Sequence, residues 1–340
     1  MNAIANRRIV LAQRPVGTPT LSDFSLVDEV LPPPGPGQVL LQTLFLSLDP
    51  YMRGRMNDVK SYAPSVAIGE VMVGGTVCKV AESNLDGFAV GDIVLANAGW
   101  QEYSLSDGTG LRKLNPHLAP VSTALGVLGM PGMTAYCGLL EIGKPQKGET
   151  VVVAAASGPV GSMVGQIARK RGARAIGIAG GAAKCAYVRE QLGFDECVDH
   201  RDPELPALLA AACPAGIDVY FENVGGAVFR AVMPLLNRFS RVPVCGLVSQ
   251  YNAQHPGDGI DHIPVLMRSI LTNRILVRGF IVSDFADKQA QFLAEVGSWV
   301  KDGSIRYRED ITDGLESAPA AFIAMLTGGN FGKALVRVSA

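Results

Sequence analysis

The chain has 340 residues, 48% hydrophobic and 18% charged, and its 30 Lys and Arg against 31 Asp and Glu leave a net charge of −1. At ~150 residues per domain this suggests about two domains, each able to build a core without disulfide or metal staples. The balanced charge argues against a nucleic-acid partner, the small charged fraction against disorder, and the longest apolar runs fall far short of the ~20 residues of a membrane span.

Residues 1–13 lack the long apolar region and cleavage site of a signal peptide. Cys78, Cys137, Cys185, Cys197, Cys213 and Cys245 are scattered with no C-x-x-C pair, the usage of a cytoplasmic protein with reduced thiols. His117, His200, His255 and His262 form no ligand cluster with them, so no metal site is read.

Residues 1–125 read as a β-rich lobe. Short strands are expected at 39–46, 71–80 and 93–96, bounded by Gly and Pro turns. From about 126 the texture changes. A helix is expected at 134–142, ended by Lys144-Pro145. A continuous apolar run at 150–156 suits a strand buried on both faces. Helical and strand segments then alternate: 160–171, 174–179, 184–192, 197–198, 217–221, 241–245 and the run from Ile275 to Val282. That alternation predicts a doubly wound parallel sheet. An amphipathic helix at 289–301 and a strand at 334–338 follow, and the C-terminal stretch from about 300 is expected to complete the first lobe. The expected domains are thus 1–125 with 300–340, and 126–299.

The motif with most chemistry is Ala154-Ala155-Ala156-Ser157-Gly158-Pro159-Val160-Gly161. It follows a buried strand and opens a helix, the setting in which backbone amides and a helix N-terminus hold a pyrophosphate. Gly158 permits close backbone approach, and Gly161 and Gly165 permit tight helix packing, while Ala156 stands where G-x-G-x-x-G has its first glycine. The next strand ends in Gly180-Gly181 with no carboxylate to accept a ribose hydroxyl, whereas Lys184 and His200-Arg201 follow nearby. Cations without a carboxylate favour a 2′-phosphate, hence NADPH over NADH.

Further runs now fall into a pattern: Asp49-Pro50-Tyr51-Met52-Arg53, 129–136, 221–226, 245–252 and 329–333. Together with the turn at 156–161 they resemble the zinc-independent medium-chain dehydrogenase/reductases, in the branch of prostaglandin, alkenal double-bond and curcumin reductases. The resemblance spans essentially the whole chain. It implies a GroES-like catalytic β-lobe, a Rossmann domain, and NADPH-dependent reduction of a C=C bond conjugated to a carbonyl. It also implies that Tyr251 lies near the substrate carbonyl, that Lys184 meets the 2′-phosphate, that Asn223 and Asn330 contact the cofactor, and that Tyr51 borders the pocket. The family commonly has a Tyr before a basic residue after the third strand; here the pair is His200-Arg201. The candidate cofactor set therefore comprises Thr134, Ser157, Gly158, Pro159, Val160, Gly161, Gly180, Lys184, His200, Arg201, Asn223, Tyr251 and Asn330. Tyr51, Met52, Met130 and Phe331 are candidates for the pocket. The zinc-dependent relatives' Gly-His-Glu motif and cysteine lobe have no counterpart here.

Hydride addition to the β-carbon of an enone places charge on the carbonyl oxygen, which a donor such as Tyr251 would stabilise. The polar stretch 250–264 is expected to border the substrate site and to be mobile before ligand binds. The apolar segment 275–282 would be an exposed sheet edge, and the resemblance implies that it pairs in a homodimer. A quinone reductase of the same superfamily and a non-catalytic nucleotide-binding protein are the alternatives.

Overall fold

The computed structural model describes residues 3–253 and 261–339. Residues 254–260 of the polar stretch expected at 250–264, including His255, lie outside the described residues. The chain divides into two compact units, Met1–Gly126 with Glu309–Ala340, and Val127–Arg308.

The first unit begins with strands β1 (Ile4–Leu11) and β2 (Phe24–Leu31), which pair antiparallel. Their apolar residues are interrupted by Arg7, Arg8, Asp28 and Glu29, which hides the hairpin from a search for apolar runs. Next come β3 (Val39–Ser47), a short helix α1 (Tyr51–Arg55), β4 (Thr76–Ser83), β5 (Ile93–Ala96), β6 (Tyr103–Ser106) and β7 (Arg112–Lys113). The strand expected from residue 71 starts only at Thr76. Gly74 lies so close to the core that a Cβ there would stand 2.8 Å from Leu46 and 3.2 Å from Trp100, and the chain bends before the ladder begins.

The second unit runs through α2 (Met130–Cys137), β8 (Thr150–Ala154), α3 (Pro159–Lys170), β9 (Arg174–Ala179), α4 (Ala182–Glu190), β10 (Glu196–Asp199), α5 (Leu205–Ala212) and β11 (Ile217–Phe221). It continues with α6 (Gly226–Val232), β12 (Leu236–Val244), α7 (Ile263–Asn273), β13 (Leu276–Gly279) and α8 (Gln289–Lys301). The sheet order is β10-β9-β8-β11-β12-β13 with every neighbouring pair parallel. Counted from β8 this is the Rossmann order, whose chain reversal falls between β8 and β11. All five β8 residues are buried. Val151 and Val153 pack into one apolar cluster, Val152 and Ala154 into another, the period of two expected of a strand covered on both faces.

The helix expected at 134–142 is instead α2 followed by a π-helical turn, Gly138–Gly143, closed by Lys144 in a left-handed conformation (φ 46°). Gly138 permits this packing: a Cβ there would lie 2.5 Å from the Phe280 ring and 2.7 Å from that of Phe221.

The chain returns to the first unit with β14 (Glu309–Asp313), α9 (Ala318–Leu326) and β15 (Lys333–Arg337), completing the sheet β14-β15-β3-β4-β5-β7, with β6 on β3. The return comes at Glu309 and not near residue 300, because residues 302–308 still belong to the second core. Ile305 is buried there, and the Arg306 amide and carbonyl are both bonded to the Gln166 side chain at 2.8 and 2.9 Å. Among the described residues no helix is long and apolar enough to cross a membrane.

Candidate active site

The turn after β8 is built from backbone geometry. The strand stops at Ala154 because Ala155 adopts φ 53°, a left-handed conformation that an L-residue takes only where its surroundings enforce it. The sharp bend is thus at Ala155. Ala156, the residue aligned with the missing first glycine, is wholly buried and packs where a Gly177 Cβ would come within 2.8 Å of it. Gly158 caps α3, its amide donating to the Ala155 carbonyl at 2.9 Å. Pro159 follows as the first helical residue, where its missing N–H is no loss. The helical ladder opens with Ser162 N–H to Gly158 C=O at 3.0 Å, so the amides of Val160 and Gly161 lie in the first turn, the region available to an anion. A Cβ at Gly161 would sit 2.3 Å from the Ala155 oxygen, and one at Gly165 1.9 Å from the Phe194 ring. The first glycine brings helix and turn together; the second makes room for an aromatic ring preceding β10. The Ser157 side chain is buried within this turn.

One strand to the side, β9 ends at Gly180-Gly181. A Gly180 Cβ would lie 2.7 Å from His200 Nε2 and 3.2 Å from Arg201 Nε, so both side chains fold back over this strand end. The Lys184 charge, from the first turn of α4, is also felt at His200. Asp199, which ends β10, accepts the amides of Gly181 and Arg201 on Oδ1, both at 2.9 Å. Those backbone hydrogen bonds, with Gly181's the stronger influence, hold its carboxyl below the ordinary range. Asp199 therefore organises the loop, and its role had no signature in the sequence beyond its place before His200-Arg201.

On the other side of β8, at the end of β11, Asn223 donates its amide to the Ala154 carbonyl at 2.8 Å and so ties this strand end to the base of the phosphate turn. Glu222, buried beside it, accepts the amides of Val224 (2.6 Å) and Gly225 (2.8 Å) and the Tyr220 hydroxyl (3.1 Å) on one oxygen. Burial raises its pKa, offset in part by those donors. Sequence reasoning quoted this motif but missed Glu222 as the residue that shapes it. Tyr251 caps the short helix Val248–Gln250, and its hydroxyl folds back to within 3.2 Å of a Gly246 Cβ position. Gly246 is bonded through its amide to the Glu222 carbonyl, so Tyr251 and Asn223 belong to the same strand-end cluster. Thr134, buried in α2, donates its hydroxyl to the Met130 carbonyl at 2.8 Å, and Met130 itself is 39% exposed.

In the first unit, the motif 49–53 separates its residues by role. Lys333 at the start of β15 is buried and donates to the Leu48 carbonyl (2.6 Å) and Asp49 Oδ1 (2.9 Å), while the Ser47 hydroxyl donates to the other Asp49 oxygen. Arg53 reaches the Gly17 carbonyl and Asn57. Tyr51 stays partly accessible. Burial first, and the Asp49 charge second, push its hydroxyl above the usual phenol range, so it is a neutral donor. Met52 points the other way: it is fully buried in the core with Leu46, Trp100 and Phe322, and the expectation that it lines a pocket is corrected by the helical turn that directs it inward. Phe331 is partly exposed, its amide donating to Asp310 at 2.9 Å, and Asn330 donates to the Gly332 carbonyl at 2.8 Å.

Among the described residues no three His, Cys, Asp or Glu side chains are placed to hold a metal ion. The strand order, the glycine-framed turn and the cationic strand end define a two-unit oxidoreductase of the dinucleotide-binding class. Two protein families match the chain: the N-terminal domain of oxidoreductase over residues 7–114 and zinc-binding dehydrogenase over residues 159–298. The NADPH-dependent curcumin reductase of Escherichia coli (strain K12) is 56% identical over 335 residues, covering 98% of this chain and 97% of that protein. Prostaglandin reductase 1 of Rattus norvegicus is 44% identical over 326 residues, covering 94% and 95%. The crystal structure of CurA in complex with NADPH from Vibrio vulnificus superimposes with a TM-score of 0.96 at 54% identity, covering 98% of this chain and 99% of that one. The chain belongs to the zinc-independent medium-chain dehydrogenase/reductases, in the branch of curcumin and prostaglandin reductases.

Proposed function

We propose that this protein is an NADPH-dependent reductase of the C=C bond in α,β-unsaturated ketones or aldehydes. The observation that carries the reading is the cationic end of β9: His200 and Arg201 over Gly180, with Lys184 beside them. Asp199, which ends β10 beside them, is engaged with backbone amides. The similarity to a relative named NADPH-dependent curcumin reductase and to the structure of CurA in complex with NADPH supports it.

The residues present fit the cofactor. The amides of Val160 and Gly161 and the α3 N-terminus suit its pyrophosphate, with Ser157, Gly158 and Pro159 shaping the approach. Lys184, His200 and Arg201 suit the 2′-phosphate, and Thr134, Gly180 and Asn223 of the same unit are the further contacts we assign. When bound, the nicotinamide supplies the hydride. The chain's own contribution is electrostatic: the Tyr251 hydroxyl donates a hydrogen bond to the substrate carbonyl oxygen as charge develops there. Tyr51, neutral and partly accessible, and Phe331 are the first unit's candidates for substrate contact, and Met130 is the second unit's own candidate.

The exposed edge strand β13, with Leu276 and Val277 at 50% and 40% exposure, supports a homodimer formed by pairing of that edge, which sedimentation equilibrium at micromolar concentration tests directly. The six cysteines, all free, support a reducing, cytoplasmic setting. The deciding assay follows NADPH absorbance with a panel of enones, alkenals and quinones, and repeats it with NADH. Consumption with the enones and alkenals is expected; turnover of quinones alone, or equal efficiency with NADH, would refute the proposal.

A further inference from the structure

Lys184, Arg201 and one histidine, His200, gather at the end of β9. Of the side-chain types gathered there, imidazole is the one that ordinarily titrates between about pH 5 and 8. His200, which follows β10, is held there against the end of β9. Its amide donates to the Ala179 carbonyl at 2.9 Å, and its Nε2 lies 2.7 Å from the Cβ position of Gly180. No side chain other than hydrogen fits between the imidazole and the strand end, so the ring and the Arg201 guanidinium lie over Gly180. His200 also remains accessible to solvent, and hence to a ligand.

We propose that His200 makes recognition of the 2′-phosphate proton-dependent, so that preference for NADPH over NADH grows as pH falls from 8.5 to 6.5. This inference rests on the assignment of the cationic cluster to the 2′-phosphate made above.

The charged groups that act on His200 are Arg201 beside it, Lys184 from α4 and Asp199 from its own strand. Crowding of the ring comes first, then the Arg201 charge; these and Lys184 lower its pKa below the ordinary imidazole value, against a weaker opposing pull from Asp199, whose carboxylate already serves two amides. In the free protein the imidazole thus gives up its proton more readily than an ordinary histidine. A phosphate monoester loses its second proton near pH ~6 and is mostly dianionic above it. When the dianion docks, its charge favours the imidazolium, and the imidazole nitrogen takes a proton from solvent. A group whose pKa rises on binding strengthens binding most at pH values below its free pKa. The gain disappears as pH climbs through the pKa of the complex. NADH, with a hydroxyl in place of the phosphate, has no such linkage.

The test is titration calorimetry of the full chain with NADPH, NADH and 2′,5′-ADP at pH 6.5, 7.5 and 8.5, in pairs of buffers that differ in ionisation heat. The expected result is a loss of about threefold in NADPH and 2′,5′-ADP affinity from pH 6.5 to 8.5, the part of a one-unit pKa gain on binding that is still expressed above the free imidazole's pKa. Net proton uptake should accompany those two ligands near pH 7, and NADH should show neither effect. His200→Gln, an accessible position where folding is checked by circular dichroism, should abolish both the slope and the uptake while Lys184 and Arg201 keep some preference for the phosphate. A flat wild-type affinity, or a slope that survives in His200→Gln, overturns the proposal. If NADPH binds no tighter than NADH even at pH 6.5, the assignment of the cluster itself falls, an outcome distinct from a tight but pH-independent complex.

Discussion

The two units bring functional segments together by different means. In the second unit the segments are consecutive strand ends, and glycines, one strained alanine and backbone hydrogen bonds set their spacing. In the first unit the segments at 48–53 and 329–333 are joined by a buried charge: Lys333 Nζ bonds Asp49 across 284 residues of sequence. Backbone packing tolerates no added atom but needs no buried ion pair. A buried ion pair tolerates modest shifts in shape, yet it fails badly when one partner is removed. The regularity of the parallel sheet makes the first solution available to the second unit, whereas the β-lobe must recruit a distant strand.

The largest effect should come from the ion pair. Lys333→Met leaves Asp49 buried with no cation and should cost roughly 3–5 kcal/mol in chemical denaturation, while Asp49→Leu with Lys333→Met should recover most of that loss. Failure of the double variant to recover would mean that the lysine matters for its carbonyl contact with Leu48 instead. Next is Tyr251→Phe, expected to lower kcat by about 10²-fold with little change in NADPH affinity. If Tyr51→Phe proves the more damaging of the two, Tyr51 and not Tyr251 is the donor. Gly161→Ala should cost about 1–3 kcal/mol through overpacking and weaken NADPH at least tenfold. Because the clash is with the Ala155 carbonyl, no neighbouring side-chain substitution should rescue it, in contrast to the ion pair. The smallest effect concerns Asp199. Its folded pKa is depressed, so its stabilisation is present above the unfolded carboxylate pKa and fades as pH falls through the folded value. Asp199→Asn should remove that acid-side slope at a cost of no more than ~0.5 kcal/mol at pH 7, since the group is solvent-screened and the amide oxygen still accepts both N–H bonds.

The strand and helix following Glu149 were legible because a strand buried on both faces is apolar throughout, and because Gly158, Pro159 and Gly161 can serve few other purposes in that order. The exact strand limits at 93–96, 174–179 and 217–221 follow from Gly, Pro and charged residues at their ends. The β1–β2 hairpin was not legible, since its charged residues break the apolar pattern on the exposed face. Nor was the bend at Ala155: local preference assigns left-handed backbone to glycine, and only the packing of Ala156 beneath Gly177 and of Gly161 against the turn carbonyl forces it onto an alanine. Met52 shows the same limit, because a motif can mark a segment as important without showing which way each side chain points.

By itself the sequence determined the alternation of elements, the phosphate turn and the cationic residues near it, since these depend on local periodicity, on glycine where a side chain will not fit, and on side-chain charge. Only the tertiary structure decided that Asp199 would be engaged by amides, that His200 and Arg201 would cover Gly180, and that Lys333 would neutralise Asp49. Those outcomes depend on which distant groups are left to satisfy a buried donor or charge once the sheets have closed, a condition imposed by the whole fold on residues that carry no local sign of it.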